Sequence, residues 1–194
     1  MEALTQRDLW PLPIYEGVRE QFRREVIAAK KDRRVTVGPF MTFVFENRLT
    51  VKFQVMEICR AEKTSAPEAV QHELDGFNEM LPSLNELSAT LLVELTGPET
   101  EVAAELMKLT GMGKHTYLEI DGKRLAARFD GERDDGKRLA AVQYVRFPVP
   151  FGVDGAAKLR DPKSKVALVI DHPNYTHRLE LNDAQRASLA RDLG

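Results

Sequence analysis

Residues 115–129 read HTYLEIDGKRLAARF, and this stretch decides the architecture. His115–Ile120 and Lys123–Phe129 are two short runs of strand-forming residues separated only by Asp121-Gly122. Asp-Gly suits the tight primed turn whose twist matches two hydrogen-bonded strands. The segment is therefore expected to be a hairpin, and its two strands antiparallel neighbours. Working outward, Ser88–Leu95 reads as a buried strand, and Leu139–Phe147 as another, ended by Pro148 and Pro150. Lys165–Asp171 and Tyr175–Leu181 read as two more, and Phe151–Pro162 as a loop or one short helix. Upstream, Val35–Val37 and Thr42–Glu46 read as strands around a Gly38-Pro39 turn.

Helices are expected mainly in the first 110 residues. Tyr15–Lys31 carries Val18, Phe22, Val26 and Ala29 on one stripe, with Glu20 and Arg24 placed to pair one turn apart. Lys30, Lys31, Arg33 and Arg34 follow where cations suit the helix dipole, which accounts for the basic run without nucleic acid. Asn47–Lys63 fits either period. Leu49, Val51, Phe53 and Val55 alternate, but Val51, Val55, Ile58, Cys59 and Glu62 follow a helical stripe. Asn47 is a good N-cap, and helix is the reading adopted. Ser65 or Ala66 starts the next helix, with Pro67 in its first turn and Val70, Leu74, Phe77 and Leu81 along one side. Glu99–Leu109 is a helix stopped by Gly111 and Gly113, and Asp183 caps a last one reaching Leu193. Helices first and hairpin-ordered strands later predict an α+β fold, a single domain over residues 1–194 with a mostly antiparallel sheet.

The chain has 194 residues, 43% of them hydrophobic, enough for a core of ordinary size. The net charge of −2 excludes a strongly basic nucleic-acid binder. The charge is uneven: residues 57–105 hold eleven Asp and Glu against Arg60 and Lys63. Such a segment is either the wet side of helices or a surface for cations or a basic partner. The lone Cys59 cannot form an intramolecular disulfide. No secretory leader opens the sequence and no apolar run is long enough to span a membrane, so a soluble cytoplasmic protein is expected.

Several chemistries lack their motifs. Residues 111–116, GMGKHT, place no hydroxyl directly after the lysine and position 108 is Lys, so they are a helix stop rather than a phosphate loop. There is no CxxC, HExxH, Glu-x-x-His or GxSxG. Cys59, within a helical stripe beside Arg60, reads first as a small hydrophobe and second as a reactive thiol.

Two polar clusters remain. On a helix over 47–63, apolar residues occupy two sides and leave Asn47, Thr50, Gln54 and Glu57 in a narrow strip flanked by Glu46 and Arg48, with Arg60 one turn from Glu57. The strip is either the floor of a ligand or metal pocket or a satisfied buried ion-pair network. On the following helix, Glu68, His72, Asp75 and Glu79 share the side opposite the apolar stripe. That face is either solvated or holds a divalent cation through His72, Glu68 and Asp75. His172 and His177 bracket a turn and are weak ligand candidates.

Several strings carry a resemblance. Val37-Gly38-Pro39, Phe45-Glu46-Asn47-Arg48, Gln54, Glu57, Arg60-Ala61-Glu62, Gln71-His72-Glu73-Leu74-Asp75, Glu86-Leu87-Ser88-Ala89-Thr90-Leu91, Ala141-Val142-Gln143-Tyr144 and Ile170-Asp171-His172-Pro173 resemble the bacterial family known as domain of unknown function 3501. The resemblance spans nearly the whole chain and implies no assigned reaction. It implies a setting, because genes of this family often neighbour those for rubrerythrin and a cysteine-rich iron–sulfur oxidoreductase. It also makes Glu46, Arg48, Gln54, Glu57, Arg60, Glu62, His72 and Glu73 the polar positions of first interest.

Three functions fit these features. The first is a non-catalytic accessory or adaptor of an iron-dependent redox or peroxide-defence system, docking on rubrerythrin or the iron–sulfur oxidoreductase through the acidic middle. The second is a metal-dependent enzyme using Glu57, Glu62, His72 and Glu73 or Asp75, which requires those side chains to converge. The third is a structural homodimer.

Overall fold

The computed structural model describes residues 1–129, 139–150 and 153–193. Two antiparallel sheets form its body. Strands β1 (Arg34–Val37), β2 (Met41–Phe45), β3 (Glu86–Val93), β7 (Val142–Pro148) and β6 (Arg128–Phe129) lie in the order β1-β2-β3-β7-β6. Strands β4 (Thr116–Ile120), β5 (Lys123–Ala126), β8 (Val166–His172) and β9 (Tyr175–Glu180) lie in the order β5-β4-β8-β9. The α+β expectation holds, and every neighbouring strand pair is antiparallel. The Asp121-Gly122 hairpin is present, with Ile120 opposite Lys123. Its second arm differs from expectation. The run leaves the β4 sheet at Ala127, and Arg128 and Phe129 pair with Arg146 and Val145 of the other sheet. One chain segment thus edges both sheets.

Period-two alternation fills the space between the sheets. Val35, Val37, Met41, Phe43, Phe45, Leu87, Ala89, Leu91, Val145 and Phe147 from one sheet meet Leu118, Ile120, Val166, Leu168 and Ile170 from the other. Residues of α4 (Glu99–Lys108), α5 (Val153–Arg160) and α6 (Asp183–Ala190) join this core through Leu106, Leu159 and Leu189. At one corner the Tyr175 hydroxyl donates to the Val37 carbonyl at 2.6 Å. The next residue, Gly38, has φ +71°, and a Cβ there would come within 2.4 Å of that hydroxyl oxygen.

Three further helices gather around two smaller cores that reach the sheet at Tyr144. Helix α1 (Leu12–Lys31) starts three residues before the expected Tyr15, because Pro13 is accommodated in a first turn. Helix α2 (Arg48–Ala61) is capped by Asn47 as predicted, and α3 (Pro67–Asn78) starts after Ala66. Tyr15, Phe22 and Val26 of α1 pack with Met56 and Phe53 of α2. Val51, Val55 and Cys59 of α2 pack with Leu74 of α3 and Tyr144 of β7. Two terminal details depart from the sequence reading. The cap of α6 is Asn182, whose side chain accepts from the Gln185 N–H, rather than Asp183. Glu20 pairs with Arg19 and not with Arg24. Phe151 and Gly152, in the stretch expected as a loop or short helix, lie outside the described residues; α5 supplies the helix after them. No helix among the described residues is long and apolar enough to cross a membrane.

Candidate functional site: a closed polar network under α2 and an open acidic face on α3

The α2 N-terminus builds the first cluster. The Asn47 side chain accepts from the Thr50 N–H at 3.0 Å, and the Thr50 hydroxyl accepts from the Asn47 N–H at 2.9 Å. This reciprocal cap points the Thr50 hydroxyl hydrogen at Glu46, where it donates to Oε2 at 2.5 Å. One turn on, Gln54 Nε2 donates to the same oxygen at 3.1 Å. From β3, Thr90 donates to Oε1 at 2.8 Å. Glu46 is only 2% exposed, and no cation among the described residues touches its carboxylate. Three neutral donors stand where a charge partner would be expected. The backbone holds it as firmly, with its N–H on the Ser88 carbonyl at 2.8 Å and its carbonyl accepting from the buried Arg33 at 3.0 Å. Arg33 also pairs with Asp192. Burial pushes the Asp192 carboxyl above its ordinary range despite that cation.

Glu57 belongs to a different group. Its Oε1 accepts from the Tyr15 hydroxyl and from Arg19 Nε, each at 2.8 Å, and its Oε2 from Arg19 Nη2 at 2.7 Å. The Arg19 fork holds the Glu57 carboxyl below its usual range, against the opposing effect of burial. Burial and then the Glu57 hydrogen bond push the Tyr15 phenol up. Arg60, the nearby candidate partner in the sequence, instead pairs with Glu16 at 2.9 Å. Thus the expected strip divides: Thr50 and Gln54 serve Glu46, while Glu57 ties α2 to α1. Both halves are satisfied within the chain, but only the Glu57 half is an ion pair; neutral donors hold the Glu46 half.

Arg48 faces the N-terminal segment, donating to the Glu2 and Ala3 carbonyls at 2.6 and 2.8 Å and pairing with Asp8 at 2.6 Å. Cys59 is buried. Desolvation pushes its thiol up, and the nearby Glu73 and Glu62 charges add to the shift, so it is a core residue rather than a ready thiolate. His172 is also buried; its Nδ1 accepts from the Asn174 N–H at 3.2 Å, leaving Nε2 to donate to the Thr110 carbonyl at 3.1 Å. The His177 ring packs edge-on against Tyr175. Neither histidine is poised as a ligand.

The α3 face is open. Glu68, Gln71, His72, Asp75 and Glu79 are exposed, Glu62 is exposed at the α2 C-terminus, and Glu73 is half-buried. Gln6, Pro67, Glu68, Gln71, His72 and Asp75 line a shallow groove of about 430 Å³. Glu68, His72 and Asp75 share its rim, yet among the described residues no three His, Cys, Asp or Glu side chains are grouped closely enough to hold a metal ion. The structure does not bring His72 to Gln54 and Glu57: His72 faces solvent, and the other two bond to Glu46 and to α1. The acidic middle is not one surface either. Glu86 is buried between Arg128 and Arg146, which with the Ser83 N–H hold its carboxyl low against burial, and Glu94 pairs with Arg34 at 2.5 Å. Glu62, Glu68, Glu73, Asp75 and Glu79 have no ion-pair partner among the described residues.

Residues 3–193 match the model of a protein family of unknown function, DUF3501. The chain belongs to that family. It is also similar, at 31% identity, to a crystal structure described as a novel protein of unknown function from Burkholderia pseudomallei K96243, with a TM-score of 0.90 and full coverage of both chains. No curated protein matches the chain. The fold is therefore shared with that protein over the entire length.

Proposed function

We propose that this DUF3501 protein is a non-catalytic accessory of an iron-dependent redox or peroxide-defence system, acting in the cytoplasm and docking on a basic surface of its partner. The observation that carries this reading is the run of unneutralised acids along α3. Glu57, Glu86 and Asp8, by contrast, are committed to arginines of the same chain. The α3 carboxylates meet no cation among the described residues, Asp75 accepting only from the neutral Gln71 side chain at 2.8 Å; exposed, they cost little in the free protein and are available to an incoming cationic surface. The partners that the family's gene neighbourhood favours are rubrerythrin and the iron–sulfur oxidoreductase. Each, fully metallated, is tested for binding to the immobilised protein at low salt. Retention of either one, lost at high salt and in a Glu68→Lys/Asp75→Lys variant, supports the reading. Failure of both metallated partners to bind overturns it.

A further inference from the structure

The outer side of α1 is the charge complement of the α3 face. Ile27 is 53% exposed on that helix. Arg23 and Arg24 lie one turn before it and Lys30 and Lys31 one turn after, so four cations surround one apolar side chain. None of the four takes part in an ion pair among the described residues; the helix's paired arginine, Arg19, lies on the side facing α2. The spacing also matches. Arg24 and Lys31 are seven residues apart, as are Glu68 and Asp75, or about 10.5 Å along either helix axis. Run antiparallel, Arg24 meets Asp75, Ile27 meets His72 and Lys31 meets Glu68, because the three-then-four spacing on α1 is the reverse of the four-then-three spacing on α3. The groove beside Gln6, Pro67 and Gln71 gives Ile27 a concave surface to enter.

We infer that the α3 groove is also the docking site for a second copy of this chain, which presents α1 with Ile27 as the central apolar contact. The inference rests on the α3 face being a docking surface, as proposed above. It adds that self-association and partner binding compete for it. The contact joins two different patches and is small and charge-rich, so it is weak and salt-sensitive.

Sedimentation velocity over a wide concentration range tests this with three proteins: the native chain, an Arg24→Glu/Lys31→Glu variant and a Glu68→Lys/Asp75→Lys variant. All four positions are exposed, and thermal unfolding checks that each variant is folded. The native chain should associate at low salt and dissociate at high salt. Each variant alone should associate about tenfold or more weakly. Mixing the two variants should restore association, since the native α1 of one then meets the native α3 of the other and reversed α1 meets reversed α3. A native chain that stays monomeric at low salt, or an oligomer indifferent to both reversals, overturns the inference. The α1 variant separates the two proposals, because it should still bind the redox partner. Loss of self-association with partner binding intact supports the self-docking inference and leaves the functional reading standing. An α1 variant that self-associates as the native chain does, while still binding the partner, sinks the inference alone.

Discussion

Helices α2 and α3 are neighbours, each with a polar side, and they use it in opposite ways. On α2, Thr50, Gln54 and Glu57 are each bonded to a named partner within the chain. On α3, the carboxylates of Glu68 and Glu79 reach no cation among the described residues. The difference lies in what each helix faces. α2 is wedged between α1, α3 and β7, so a polar atom left without a partner there would carry its full desolvation cost. α3 buries only one stripe, centred on Leu74, and its other side stays hydrated. Polar residues on α2 are thus expected to matter for stability and those on α3 for association.

The largest effect is expected at Glu46. Glu46→Ala empties the buried carboxylate site and leaves the half-buried Thr90 hydroxyl without its acceptor, while Thr50 and Gln54 keep their weaker bonds to the Asn47 and Thr50 carbonyls at 3.1 and 3.3 Å. It should lower the unfolding free energy by about 2 kcal/mol, read from denaturant titration. Glu46→Gln fills the space and should cost clearly less. An alanine variant as stable as the native chain would break the contrast, because the buried network would then contribute nothing. Next comes Glu57→Gln, expected to cost about 1 kcal/mol at neutral pH through the Arg19 fork. Its pH signature sharpens the point. The folded Glu57 carboxyl titrates below its ordinary value of 4.5, so its contribution is complete above that pH and fades as pH falls through the lower folded value. The stability gap between native chain and variant should therefore narrow in acid. A gap constant from neutral pH to pH 3 would assign the loss to packing instead. The smallest stability effect is expected on α3, where Glu68→Lys/Asp75→Lys should stay within about 0.5 kcal/mol of the native chain. A large loss there would show that the open face is structural after all.

Local signals made much of this legible in the sequence. The Asp121-Gly122 turn, the Asn47 cap and the stripe along Tyr15–Lys31 depend on neighbours within a few residues, and each is present. Partners from distant segments were not legible. Glu57 offered Arg60 one turn away, but the chain brings Arg19 from 38 positions upstream. Thr90 carried no mark linking it to Glu46, since only the pairing of β2 with β3 places Ala89 opposite Phe45 and so sets Thr90 beside the strand end. Arg33 looked like one more helix-terminal cation, yet it is 2% exposed and is bonded to the Phe45 carbonyl at 2.8 Å. The sheet switch at Ala127 was hidden for the same reason: nothing in LAARF says which sheet the last two residues join. Of the candidate site, the acidic side of α3 was readable because helical periodicity alone defines it. The division of the α2 strip was not, because it depends on what packs against each half.

The central claim is that the unpaired acids of α3 form a docking surface. Its most direct measurement is a low-salt binding titration of metallated rubrerythrin and of the iron–sulfur oxidoreductase. Each would be run against the native chain, the Glu68→Lys/Asp75→Lys variant and the Glu57→Gln variant. At least one partner should bind the native chain and Glu57→Gln alike, and lose about tenfold or more in affinity for the α3 variant. Equal affinity for all three, or no binding to any, would contradict it.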